Sequence, residues 1–261
     1  MKIAIIIQER NGNSRLRAKV MQTVLGRPLM AYHLERMRAV TGAHEFVVAT
    51  TWNRTDDSIA ALATDMGWTV VRGPEDDVLA RYILAANTVG ADAVFRSTGD
   101  CPIISPEHVD EIIARFLLGD ADHVEIDGVP DGMGGEILLT QLLRDIHPLA
   151  SIEEREHVTL YVRRRPETYR KALVVTGLNR DNDRWCVDVQ EDYLVVKALI
   201  EATYGQGMTL PRCADFLAVV DAHPEISALN AKVPFGPIDR TMVAANKKLA
   251  GIDWSPARGD L

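Results

Sequence analysis

The sequence predicts an α/β protein built on a mostly parallel, Rossmann-like sheet flanked by helices, and three observations lead there. Residues 3–7 are an unbroken apolar run, Ile-Ala-Ile-Ile-Ile, which reads as a strand buried on both faces. Short β-branched runs then alternate with stretches of helical periodicity, as a parallel sheet requires. Charge gathers in the loops that leave the first and fourth of these strands, and in an open α/β sheet that edge is where ligands bind.

The elements follow in order. Residues 8–19 form a loop with four cations, Arg10, Arg15, Arg17 and Lys19, among the turn formers Asn11, Gly12, Asn13 and Ser14. Backbone N–H groups, arginine forks and a lysine point charge suit a polyphosphate. Residues 28–37 carry apolar positions at helical spacing, with Pro28 at a permitted first-turn position. Residues 46–50 are a second buried strand, 56–66 a helix and 68–71 a third strand. A turn at 72–77 leads into a helix over 78–89, whose N-terminus its carboxylates favour. Residues 91–96 are the fourth strand, opening into 97–102 and placing Asp100 at the same sheet edge as Arg10 and Lys19. A helix over 106–118 and a short strand over 123–126 come next.

The segment 127–135 holds four glycines and one proline. It is either a tightly turned connection or a lid that closes over substrate. Residues 138–147 and 152–164 read as helices, 171–175 as a strand, 193–204 and 213–222 as helices. A tail punctuated by Pro234, Pro237 and Pro256 ends the chain, and no internal repeat is present.

The chain is long enough for a full core. Its formal charge of -8 disfavours a general nucleic-acid binder, so local basic clusters point to a bounded anionic ligand. Cys101, Cys186 and Cys213 stand far apart, with no C-x-x-C pair, which points to a reducing compartment and away from zinc. The opening apolar run is too short for a signal peptide or a membrane span. The expectation is a cytoplasmic protein without nucleic-acid or membrane partners.

Asp100 and Asp188, each read as following a strand, can hold a magnesium ion between them, with phosphate oxygens completing the shell. Arg10, Arg15 and Lys19 would then neutralise the β- and γ-phosphates of a nucleotide. Plainer roles remain open for each aspartate alone: a turn residue before Cys101-Pro102 for Asp100, a helix N-cap for Asp188.

Six motifs in order resemble the SpsF-like, CMP-Kdo-synthetase-type cytidylyltransferases. They are Ile6-Ile7-Gln8-x-Arg10-x-x-x-Ser14-Arg15-Leu16-x-x-Lys19 with Gly26-Arg27-Pro28-Leu29; Arg72-Gly73-x-x-x-Asp77-Val78-Leu79-x-Arg81-Tyr82; Arg96-x-Thr98-Gly99-Asp100-Cys101-Pro102; Asp131-Gly132-x-x-x-Glu136; Glu154-Arg155-Glu156-His157-Val158-Thr159; and Val187-Asp188-x-x-Glu191-Asp192. The resemblance implies the nucleotidyltransferase fold of the nucleotide-diphospho-sugar transferase type. It implies transfer of a nucleoside monophosphate, usually CMP from CTP, to an acidic acceptor, and a homodimer. Carried over by position, Gln8, Arg10, Ser14, Arg15, Lys19, Arg72, Arg81 and Thr98 fall to the nucleotide, Asp100 and Asp188 to magnesium, and Arg96, Glu136 and His157 to the acceptor. Lys19, Arg10, Asp100 and Asp188 would carry catalysis. Residues 1–204 would be the catalytic domain and 205–261 a helical extension and tail packed on it.

Several positions depart from the family pattern. Its Gln-Ala-Arg is Gln8-Glu9-Arg10 here, its Leu-Pro-Gly-Lys is Leu16-Arg17-Ala18-Lys19, and its Asp-Val before the acceptor glutamate is Gly134-Gly135. Glu9 brings an anion to an anion site, a cost unless it pairs with Arg17 or turns away. A dinucleotide-dependent dehydrogenase would need G-x-G-x-x-G after the first strand, which Asn11-Gly12-Asn13-Ser14 does not supply. A nucleotide-sugar glycosyltransferase and a non-catalytic nucleotide sensor remain competing readings.

Overall fold

A computed structural model describes residues 1–12, 16 and 18–235. Ser14, Arg15, Arg17, Pro237 and Pro256 lie outside the described residues.

The first strand, β1 (Ile3–Gln8), is an interior strand of the sheet, paired on both sides. Ile3, Ile5 and Ile7 enter one core layer while Ala4 and Ile6 enter the other, because successive strand side chains point to opposite faces. A two-residue hairpin, β2 (Thr23–Val24) and β3 (Arg27–Pro28), leads into helix α1 (Leu29–Arg38). Then come β4 (Glu45–Thr51), α2 (Asp57–Asp65), β5 (Thr69–Gly73), α3 (Val78–Val89), β6 (Ala93–Thr98), α4 (Pro106–Phe116) and β7 (His123–Asp127). The second half adds β8 (Glu136–Leu139), α5 (Thr140–Ile146), α6 (Ile152–Glu156), α7 (Leu160–Arg163), β9 (Lys171–Val175), α8 (Gln190–Thr203), α9 (Cys213–Ala222) and α10 (Pro224–Ala228).

The sheet order is β5-β4-β1-β6-β8-β7-β9. From β1 the chain runs outward through β4 and β5, then crosses back to place β6 on the other side of β1, with Gln8 opposite Thr98. That reversal opens a crevice at the carboxyl ends of β1 and β6. Among the described residues no helix is long and apolar enough to cross a membrane.

Three sequence expectations need correction. The predicted helix over 138–147 begins as β8, an antiparallel strand between β6 and β7, and only Thr140–Ile146 is helical. The predicted helix over 152–164 is two short helices broken at Val158, whose φ of 53° no helix tolerates. Asp188 ends no strand: residues 182–189 are irregular, joined to the glycine-rich segment by a single bridge between Asp131 and Arg184. The glycine-rich segment is tied into the surrounding fold in this structure. Its backbone bonds to residues 180–185 through Asp131, Trp185 and Arg180, Ser105 donates to the Met133 carbonyl, and the Met133 side chain is fully buried. The glycines permit close approach, since a Cβ on Gly135 would collide with the Phe95 ring and the Arg96 carbonyl. A Cβ on Gly132 would meet the Cys186 nitrogen at 2.9 Å.

Candidate active site

Three residues far apart in sequence meet at the crevice. Lys19, which starts a 3-10 turn after the first loop, donates from Nζ to Asp100 Oδ2 at 2.6 Å and to Asp188 Oδ1 at 2.9 Å. Burial opposes the Lys19 ammonium, but the surrounding anions, Asp100 foremost, raise its pKa above the usual lysine range. Burial likewise pushes the Asp100 carboxyl up, and the Lys19 charge more than reverses that, holding it well below the usual carboxylate range. Both groups are therefore charged at neutral pH.

Asp188 is oriented from behind. Its Oδ2 accepts from Arg184 Nη2 at 2.9 Å, and Arg184 Nε donates to Asp192 Oδ1 at 2.9 Å. Asp192 also takes the backbone N–H groups of Asp188 and Val189, so it caps α8 and leaves the Asp188 carboxylate for Lys19 and Arg184. Asp188 is not the N-cap of α8: Val189 holds that position, and Asp192, at the third helical position, takes the N–H groups before the helix. Asn230, past α10, donates to the Arg184 carbonyl and to Asp192. Thus the 205–235 segment reaches back to brace the site. Neither Arg184 nor Asn230 carries a sequence signal, although Arg184 and Asp188 stand one helical turn apart in number.

The predicted nucleotide residues separate into two groups. Gln8 and Thr98 close the facing ends of β1 and β6 beside the clasp. Arg10 leans outward, its Nη1 2.7 Å from Glu75 Oε1. Arg81 is buried and gives Nη1 to the carbonyls of Pro74 and Glu75, so it stands behind that turn rather than in the crevice. Arg72 pairs with Asp57 near the sheet edge formed by β5. In this structure the guanidinium groups of Arg81 and Arg72 are thus engaged with the 74–75 turn and with Asp57.

The departures in the first loop have physical consequences. Ala18, at the family's glycine position, adopts φ 46° and ψ 39°, a left-handed conformation that costs a non-glycine residue roughly 1–2 kcal/mol. Glu9 turns inward, is 8% exposed, and accepts the Arg10 N–H at 2.9 Å. Gly99 makes the room, since a Cβ there would lie 2.8 Å from Glu9 Oε2. Burial raises the Glu9 carboxyl to about 8, against the pull of Lys19. At neutral pH it is largely protonated, so the anion expected to burden the phosphate loop is mostly absent.

A pH prediction follows with a definite sign. The folded chain holds a Glu9 proton that the unfolded chain releases. Stability from this group is therefore full in mild acid and declines as the pH rises through about 8. In Glu9→Gln that decline is expected to vanish, so melting curves of variant and wild type should separate progressively between about pH 4.5 and 8 and run parallel above, with the variant the more stable. Parallel curves across that range would refute it.

Beside the clasp lies a cleft of about 210 Å³, lined by β6, the glycine-rich segment, Glu125, Glu136 and Arg163. Strand register sets its floor: Arg96 faces Glu136, and Glu136 faces Glu125. Glu136 is 1% exposed and accepts from Arg96 at 2.6 Å, His123 Nε2 at 2.6 Å, Thr159 Oγ1 at 2.9 Å and Arg163 at 2.8 Å. Burial alone would raise its carboxyl, but Arg163 and then Arg96 hold it well below the usual range. Arg96 and Glu136 both line the cleft. His157 does not line the cleft; Thr159 of the same motif donates to Glu136, and the following helix contributes Arg163 to the lining, which sequence missed.

The sheet order, the switch-point crevice and the cleft beside it define a nucleotidyltransferase-type fold. The synthetase of CMP-2-keto-3-deoxy-manno-octonic acid, solved with CTP, shares it at a TM-score of 0.59, with 18% identity over 77% of this chain and 98% of that one. The chain belongs to the cytidylyltransferase family, whose profile matches residues 4–206. A cytidylyltransferase from Leptospira borgpetersenii superposes with a TM-score of 0.82 and 28% identity, covering 87% of this chain and 96% of that one. The spore coat polysaccharide biosynthesis protein SpsF of Bacillus subtilis is 32% identical over 207 residues, 76% of this chain and 86% of that protein.

Proposed function

We propose that the protein transfers CMP from CTP to an acidic, hydroxyl-bearing acceptor (a sugar acid, sugar phosphate or phosphonate) and releases pyrophosphate. The observation that carries this reading is the convergence of Asp100 and Asp188 on one cation, Lys19 Nζ, at the switch point of the sheet. Two carboxylates that already share a cation fit a magnesium site, and magnesium, when bound there, supplies Lewis-acid polarisation of the phosphoryl group.

The chain's own residues divide the remaining work. Lys19, with Arg10 at the loop's outer side, offers positive charge to the triphosphate as the bond between the α-phosphorus and the bridging oxygen breaks. Arg96 and Arg163 offer charge to the acid group of the acceptor from the cleft floor, and Asp127, Asp131 and Asp181 at its walls offer acceptors for hydroxyls. The orientation this gives brings an acceptor oxygen in line with the α-phosphorus. The name of the SpsF relative and the CTP bound to the synthetase support both the cytosine nucleotide and a sugar-like acceptor.

The test is a pyrophosphate-release screen of four nucleoside triphosphates against sugar acids, sugar phosphates and phosphonates. Release with CTP and one acidic class is the expected result. Hydrolysis of a nucleotide sugar without pyrophosphate would assign glycosyl transfer instead, and CTP binding without turnover would assign a sensor.

A further inference from the structure

Two cysteines that stand 85 positions apart in sequence meet beside Asp100. Cys101 Sγ lies 3.5 Å from Cys186 Sγ and 3.6 Å from Asp100 Oδ1, and the three ligand atoms fall within 4.8 Å of one another. All three cysteines of the chain are free thiols. The spacing argument against zinc fails here because the fold, not a local loop, brings the ligands together.

We propose that Asp100, Cys101 and Cys186 form a site for a thiophilic dication of the zinc class. In a tetrahedral zinc centre, with Zn–S near 2.3 Å and Zn–O near 2.1 Å, adjacent ligand atoms stand about 3.5–3.8 Å apart. Cys101 Sγ already stands at that spacing from both Cys186 Sγ and Asp100 Oδ1. A disulfide would instead need the sulfurs to close to about 2.05 Å, a much larger shift. The two oxygens of Asp100 have different partners: Oδ2 takes Lys19, while Oδ1 faces the thiols. Zinc therefore gains a carboxylate without dismantling the lysine clasp. Cys101 lines the cleft, which gives an ion a way in. Binding displaces two thiol protons to solvent and forms two metal–sulfur bonds and one metal–oxygen bond.

The site shares Asp100 with the transfer machinery, and its test uses neither CTP nor acceptor. The reduced, metal-free full-length protein is titrated with zinc against a chromophoric chelator, and separately with cadmium while thiolate-to-metal charge-transfer absorption is followed. The expected result is one tight zinc equivalent and a cadmium–thiolate band in the wild type. Cys101→Ser and Cys186→Ser should each weaken zinc at least about tenfold. Cys213→Ser, at the start of α9 with its N–H on Glu107, should leave the titration unchanged. Absence of the band in the wild type, or zinc affinity indifferent to both serine variants, would overturn the proposal. The cadmium signal needs no variant, so a misfolded variant does not cloud the outcome.

Discussion

Lys19→Ala is expected to lower turnover by about 10²–10³-fold with every acceptor tried, the scale seen when one preorganised charge partner is removed from an active site. Lys19 is 5% exposed and is the cation on which Asp100 and Asp188 converge. Its loss leaves two carboxylates facing the space that the triphosphate approaches, where they repel it. Asp100→Asn and Asp188→Asn should each reduce turnover on the same scale, since either change leaves one carboxylate to hold a dication. Asp188→Asn also weakens the contact with Arg184 that orients the side chain. Steady-state rates with CTP, alongside circular dichroism to confirm folding, check this. A Lys19 effect confined to one acceptor would place the lysine outside the phosphate site, and near-wild-type activity of either asparagine variant would sink the shared site.

Glu136→Ala should act mainly on stability. It removes the acceptor of Arg96, His123, Thr159 and Arg163 at one stroke and leaves two guanidinium groups facing each other in a buried place. Breaking a buried ion pair from one side costs about 3–5 kcal/mol, which for a chain of this size lowers the melting temperature by about 6–20 °C. The contribution is present at neutral pH, where the low-lying carboxyl is ionised, and is lost only as the pH falls well below the usual carboxylate range. Thermal melts of the variant decide the matter. A shift under about 2 °C would show that the arginines find other partners.

Much of this fold is legible in sequence where a single physical signal dominates. The helix α3 matches its expected span end for end, because Asp77 caps it and Gly90 closes it in a left-handed turn. β9 and α9 likewise coincide with their predicted ranges. β8 is hidden because its Ile137, Leu138 and Leu139 run straight into the leucines of α5, and a four-residue strand cannot impose its own period on that stretch. The break at Val158 has no sequence signal, since valine is among the residues least suited to a positive φ.

Within the site, the loops leaving β1 and β6 announced Lys19 and Asp100. Asp188 reads in sequence as a second carboxylate at a strand end, and that placement fails because nothing local says that an irregular segment will be tied to Asp100 through the Val187 N–H. Arg163 and the Cys101–Cys186 pair depend on which strands become neighbours, and that is a property of the sheet rather than of any window of residues.

The Lys19–Asp188 contact joins residues 169 positions apart. Closing so long a loop in a flexible chain costs on the order of 4–5 kcal/mol, more than one ion pair returns by itself. The contact must therefore be made late in folding, after the intervening strands have brought its partners into range. A ribosome-bound chain that has not yet released residue 188 carries the cationic loop but no complete site. Nucleotide that binds only the finished site then stabilises the whole native chain by mass action, about 2.7 kcal/mol at a hundredfold excess over its dissociation constant.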